Sequence, residues 1–573
     1  MKAFRVANCV GVFLALCVST QAAFSQADTS AIDRQNQILQ QQQLQQLRQE
    51  QERAQRTPPK PPGIDLNEVK PKITVPALGV KCREIDKIKI TGATLLPQAL
   101  RAQIEQKFSH RCLDVSDIEA ALALITKDYI ERGYVTTRAY LPAQDLRSGT
   151  LDITVIEGTI ERYQVDTPRP ESVWTPGAFP AAPGEPLNLR DLEQGIDQIN
   201  RLASNSATLD LKPGDKPGQS VVVVHNPAKR PINFFLSYDN YGTSATGRNS
   251  VSGTMTLDSV LGFNELIMLT HRQSVPSNSS HAADADALQV SVPFGYNTFT
   301  FGASRSTYDN SIGLPSGNSL LSNGDTTTYN GTLDRVIFRN QASRVSASVG
   351  LTVQDTKNYF GGQFLGIASR KLVYSDIGLS GFTALAGGVA NARLGYVRGL
   401  PSLGALHDPW DLPSDAPHAQ FGKFTLDLGF NRGFTLAGRP FTWSSQFSAQ
   451  HADDTLYGSQ QFLLGGMGTI RGSRVNTLSG DNGYLWRNEL GMPWSSDLGH
   501  TVVRGRVYAA YDFGHVTNRV AGVPSGRMAG VTLGGSIFWK AATLDIFAAR
   551  VTDLPAGFMR EGTQYGIRLS FSL

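Results

Sequence analysis

The sequence predicts a mainly β protein, in which a transmembrane β-barrel of about sixteen strands fills the carboxyl-terminal three-fifths and two small α/β modules precede it. Three observations carry this expectation. From Arg230 to Leu573 apolar and polar positions alternate with a two-residue period, and no helical period interrupts them. The connections there are uneven, short turns alternating with long polar stretches such as HRQSVPSNSSHAADAD. Past the amino-terminal leader no run approaches about 18 consecutive apolar residues, so any membrane crossing must be made by strands.

At the start of the chain, Lys2 and Arg5 precede a mostly apolar run from Val6 to Val18, then small residues around Thr20, Ala22, Ala23 and Ser25. This is the pattern of a secretory signal peptide over residues 1–27. Its removal takes Cys9 and Cys17 and leaves Cys82 and Cys112. In an oxidising compartment these two would close a loop of about thirty residues, a contribution on the order of 3 to 4 kcal/mol in the chain-entropy model. Two free buried thiols are the alternative. Residues 28–56 are polar and Gln-rich without glycine or proline, which suits either a helix or a disordered tether. The proline-dense residues 57–78 read as an extended linker.

Residues 79–157 form the first expected module. Ile85, Ile88 and Ile90 mark a strand, Leu96 to Phe108 and Val115 to Arg132 two helices, and Tyr134 to Leu141 and Thr150 to Ile156 two more strands. Residues 158–228 repeat the theme, with strands at Thr159 to Val165, Ala207 to Leu211 and Ser220 to His225 and a helix from Leu189 to Leu202. Residues 229–573 carry the alternation. Val345, Ala347, Val349, Leu351 and Val353 are apolar, whereas Arg344, Ser346, Ser348, Gly350 and Thr352 between them are polar or small. Such a pattern fits a soluble sandwich as well as a barrel with lipid outside and water inside. Length decides, because about sixteen strands of roughly ten residues leave around eleven per connection and need no helical layer.

The totals exclude other classes. With Lys+Arg 53 against Asp+Glu 49 in 573 residues, the charge of +4 is too slight for a nucleic-acid footprint. There is no phosphate-cradling loop, no G-x-S-x-G nucleophile motif and no metal-ligand spacing among the histidines, so neither an enzyme nor a cofactor is expected. Asp453 and Asp454 beside His451, and the pair Asp284 and Asp286, read as solvated loop carboxylates.

Several segments resemble the TpsB-type transporters of bacterial two-partner secretion. ERGYVTTRAYLPAQDLRSGTLDITVIEG resembles the end of that family's first POTRA domain, and LNLRDLEQGIDQINRL followed by LKPGDKPGQSVVVV its second. FFLSYDNYGTSATGR is similar to its lead-in to the first barrel strand, FLLGGMGTIRGSR to its sixth extracellular loop, DNGYLWRNEL to the next strand, and AAYDFGHV to a wall segment carrying an aspartate. Each string is weak alone, but together they keep the family's order and spacing. The resemblance implies a sixteen-stranded outer-membrane barrel, two periplasmic POTRA domains and a pore-plugging helix over residues 28–56. It also implies the secretion of a large exoprotein that carries an amino-terminal secretion domain, without nucleotide hydrolysis. Outer-membrane lipid and the barrel-assembly machinery would be the other partners, and nucleic acid would not. A barrel-assembly insertase and a passive porin are the rival readings.

The same resemblance points to residues. Cys82 and Cys112 stand where the family's paired cysteines commonly do. Arg471 and Gly472, with Gly465, Gly466 and Gly468, would form a loop motif inside the barrel, and Asp512 with Gly514 its partner on the wall. A planar guanidinium can take a carboxylate with two hydrogen bonds, fixing direction as well as distance, while the glycines allow tight turning and close approach. In the POTRA domains a strand edge beside a helix groove suits an extended client. Tyr134, Val135 and Tyr140 are expected in cores or on strand faces rather than at client contacts. The chain departs from the family pattern at Ile470 and Ser473 flanking Arg471-Gly472, at Ala510 and at Leu573.

Overall fold

Where the sequence pattern changes from mixed to alternating, the architecture changes with it. The computed structural model describes residues 82–243, 245–277, 280–313, 319–498 and 501–573, so the leader, the Gln-rich segment and the proline-dense linker lie outside the described residues.

In the first module the helix Val115–Glu131 begins at Asp114, whose carboxylate accepts from the Asp117 amide while Asp117 reaches back to the Asp114 amide. That reciprocal cap satisfies two amides that the first helical turn cannot. Ile118, Ala121, Ile125 and Tyr129 recur at helical spacing and are buried against Leu151, Ile153 and Val155 of strand Thr150–Ile156. That strand is central, parallel to Lys87–Thr91 and antiparallel to Arg138–Tyr140. The expected strand from Tyr134 to Leu141 shrinks to Arg138–Tyr140 because Val135 turns away and packs into the core of the second module. The expected first strand divides into Arg83–Ile85, paired with Arg111–Leu113, and Lys87–Thr91.

The second module pairs Thr159–Asp166 in parallel with Gln219–His225, which also pairs antiparallel with Thr208–Pro213. Helix Leu189–Asn200 is capped by Asn188. Two residues join the modules. Glu157 accepts from Thr94 Oγ1 at 2.5 Å, the Leu95 amide at 2.7 Å and the Tyr129 hydroxyl at 2.5 Å, and Gly158 donates to Thr137 Oγ1 at 3.0 Å.

Beyond the modules, sixteen long antiparallel strands close into a barrel among the described residues. Closure joins the first strand, Ile232–Asp239, to the last, Gln564–Ser572, with Asp239 opposite Arg568 and Phe235 opposite Ser572. Side chains are distributed inside out relative to a soluble protein. Val349 and Leu351 are 50% and 40% exposed on the outer face, whereas Ser346 and Ser348, in the alternate positions of the same strand, are buried on the lumen side. A sandwich with a dry interior would reverse that assignment, so the barrel is the arrangement the alternation encodes.

Several strands exceed the roughly ten residues a membrane requires, the longest being Ser319–Arg339. In consequence the stretch HRQSVPSNSSHAADAD is mostly strand, within Leu266–Val275 and His281–Phe294, rather than a long connection. Its polar residues tolerate extended structure at a strand end, where His271 Nδ1 meets Asp286 Oδ1 at 2.8 Å across the ladder. The two rims still differ. One carries tight turns such as 295–296, 386–387, 437–438 and 540–541 and receives the second module; the other carries the long connections 400–421 and 453–481.

Candidate functional site

The connection 453–481 lies between strands Arg439–Ala452 and Asn482–Leu498 and folds back as a hairpin in which Phe462–Gly465 pairs with Thr477–Gly480. Leu464, Ile470 and Leu478 of this loop are buried against Leu485, Val516 and Met528 of the barrel wall. The reversal needs left-handed backbone at Gly465 and Gly466, with φ of 103° and 80°, and Thr469 ties it by hydrogen bonds to both main-chain groups of Gly465. At Gly472, φ is 95° and a β-carbon would lie 2.9 Å from the Arg550 amide nitrogen, so only glycine lets the chain lie this close to the wall. Gly514 does the same from the wall side, where a β-carbon would meet Leu464 at 2.8 Å.

Those close approaches place Arg471 against Asp512. The Asp512 carboxylate accepts from Arg471 Nε at 2.7 Å, from Nη2 at 2.7 Å and from the Arg471 amide at 3.1 Å. It is the bidentate fork, with a third bond from the main chain. Asp512 is fully buried and Arg471 is 7% exposed, so the pair is largely removed from water although the lumen beside it is wet.

Sequence reasoning missed the rest of the cluster. Glu489 Oε2 accepts from Arg471 Nη1 at 2.8 Å, Glu489 Oε1 lies 2.8 Å from Arg506 Nη1, and Arg487 Nε lies 3.4 Å from Asp512 while its Nη1 donates to the Gly468 carbonyl at 3.0 Å. Both Arg487 and Glu489 stand in DNGYLWRNEL, two residues apart and therefore on one face. The ladder puts Arg487 directly opposite Asp512. Alternation could have flagged them; only the register shows whom they meet. Glu561, in the last long connection, accepts from the amides of Arg474, Val475 and Asn476 at 2.8 to 3.1 Å and holds the far side of the loop. The cluster faces a cavity of about 1240 Å³ that also touches Asp239, Arg272 and Arg568. Chemically this is an ion-paired latch on a folded-back loop. It can exchange its partners for water without breaking a covalent bond.

Cys82 and Cys112 form a disulfide with Cα atoms 5.3 Å apart, clamping the outer ribbon of the first module. Edge strands are Lys87–Thr91 and Arg138–Tyr140 in the first module, Thr159–Asp166 and Thr208–Pro213 in the second. Val135 is buried and Tyr134 packs at the core margin, whereas Tyr140 is half exposed. The helix Leu189–Asn200 is not a free groove: Gln194 and Gln198 are buried, and both donate to the Gly295 carbonyl of a barrel turn.

Comparison with known proteins agrees with this architecture. The family model for the haemolysin secretion/activation protein ShlB/FhaC/HecB matches residues 218–537, a ShlB-type POTRA model matches 84–158 and a further POTRA model 159–213. The chain is 34% identical over 445 residues to the outer membrane transporter CdiB of Dickeya dadantii, covering 77% of this chain and 78% of that protein. It is 30% identical to the hemolysin transporter protein ShlB of Serratia marcescens, with 83% of each covered. The solved structure of CdiB from Escherichia coli superposes with a TM-score of 0.82 at 30% identity, over 94% of this chain and 98% of that one. The chain therefore belongs to the haemolysin secretion/activation protein ShlB/FhaC/HecB family, with its barrel in the outer membrane and its two POTRA domains in the periplasm.

Proposed function

We propose that this transporter exports one large exoprotein, of the cytolysin or adhesin type, whose amino-terminal secretion domain is captured by the POTRA domains. The client crosses the lumen in extended form and folds at the cell surface. The observation that supports the reading is a loop folded into the lumen of a closed barrel and held there by Arg471 on Asp512 and Glu489, through noncovalent bonds alone. No nucleotide is hydrolysed, and the free energy comes from capture and from folding outside. The barrel is inserted into outer-membrane lipid by the barrel-assembly machinery.

The test is secretion of the polypeptide encoded beside this chain's reading frame, with and without Cys82 to His225. Loss of secretion with an intact barrel supports the proposal, whereas unchanged transport through the truncated barrel would place the chain among passive porins.

A further inference from the structure

The second POTRA domain is bonded to the tight-turn rim at several separate places. Arg339, at the end of strand Ser319–Arg339, donates to Gln194 Oε1 at 2.7 Å and Asp197 Oδ2 at 3.0 Å and lies 3.6 Å from Glu193 Oε2. Its side chain is only 10% exposed and that of Glu193 only 6%. One turn away, the Gly295 carbonyl receives Gln194 and Gln198, and the Gly295 amide donates to Gly177 at 2.8 Å. At the end of strand Asn249–Asp258, the Ser204 amide donates to Asp258 at 2.8 Å. A guanidinium taken from water at this joint has carboxylates and an amide oxygen as replacement partners, and removing those partners would strand it.

We infer that Arg339 is a positioning residue for secretion: it holds the second POTRA domain as a fixed part of the pore mouth, and that domain does not swing during transport. This rests on the secretion reading above. A hinge would need few and solvated contacts, whereas here buried polar groups on helix Leu189–Asn200 are satisfied by the barrel itself. The part of the transporter that moves to admit the client is then the lumen loop, residues 453–481.

The test uses the full chain in the outer membrane with the secreted protein encoded beside it. Arg339→Ala is expected to lower secretion at least tenfold, to leave barrel abundance unchanged, and to leave capture of the client's amino-terminal fragment by the solubilised transporter within about twofold; Arg339→Lys is expected to recover part of the loss. A disulfide between S204C and D258C is expected to leave secretion intact and to restore it in the Arg339→Ala background. Secretion blocked by that disulfide and recovered on reduction would overturn the inference, as would normal secretion by Arg339→Ala. Failure of the unaltered transporter to secrete this client would instead remove the functional reading.

Discussion

Replacing Asp512 by Asn tests the latch most directly. The change keeps the size of the side chain and removes the charge that receives three hydrogen bonds from Arg471 and lies 3.4 Å from Arg487 Nε. Removing one partner of a buried ion pair costs about 3 to 5 kcal/mol, because the other charge is left without compensation. Here the loop can lift and return Arg471 to lumen water, so the lower end applies. About 3 kcal/mol corresponds to a shift of roughly 150-fold toward the released loop. The assay is surface proteolysis of residues 453–481 in intact cells, together with secretion. Cleavage should accelerate by about that factor and secretion should change, while the amount of assembled barrel stays the same. Arg471→Ala should release the loop further, since it also loses the Glu489 bond, and the double variant should fall well short of the sum of the two because they share the Arg471–Asp512 pair. Equal protection and equal secretion in Asp512→Asn would refute the latch, and additive effects would refute the pairing.

Gly472→Val should release the loop as Asp512→Asn does, because its β-carbon would collide with the wall beside Arg550; the same proteolysis reports it. Removing the Cys82–Cys112 disulfide by Cys82→Ser with Cys112→Ser should destabilise the first POTRA domain by on the order of 3 to 4 kcal/mol, read from thermal unfolding of the solubilised protein with and without reductant. Burial alone would raise the Glu157 pKa, but hydrogen bonds from Thr94, Tyr129 and Leu95 outweigh it and hold the carboxyl below its ordinary value. Its stabilisation of the module junction is therefore complete above the unfolded pKa of about 4.3 and is lost as pH falls through the lower folded value. The thermal stability of the periplasmic domains should fall below that pH, and Glu157→Gln should flatten this dependence.

The barrel was legible because lipid and lumen impose opposite demands on successive residues, and Val345 to Val353 record that demand without any partner being known. The second helix of the first POTRA domain was legible as the run from Val115 to Arg132, against an observed Val115–Glu131. Strand lengths were less so: polar residues such as His271 and Asp286 look the same in a loop as at a strand end beyond the hydrocarbon. Val135, apolar and beside an aromatic, looked like a strand residue until the second module claimed it.

By itself the sequence determined the period and the order of the modules, since these are properties of near neighbours, whereas Arg471 and its glycines were singled out through the family resemblance. Tertiary structure decided which carboxylates Arg471 meets, that Arg487 faces Asp512, and that the buried polar face of helix Leu189–Asn200 belongs to the barrel rim. Those are matters of strand register and of domain placement, and they depend on contacts between residues tens to hundreds of positions apart whose pairing energies no local pattern encodes.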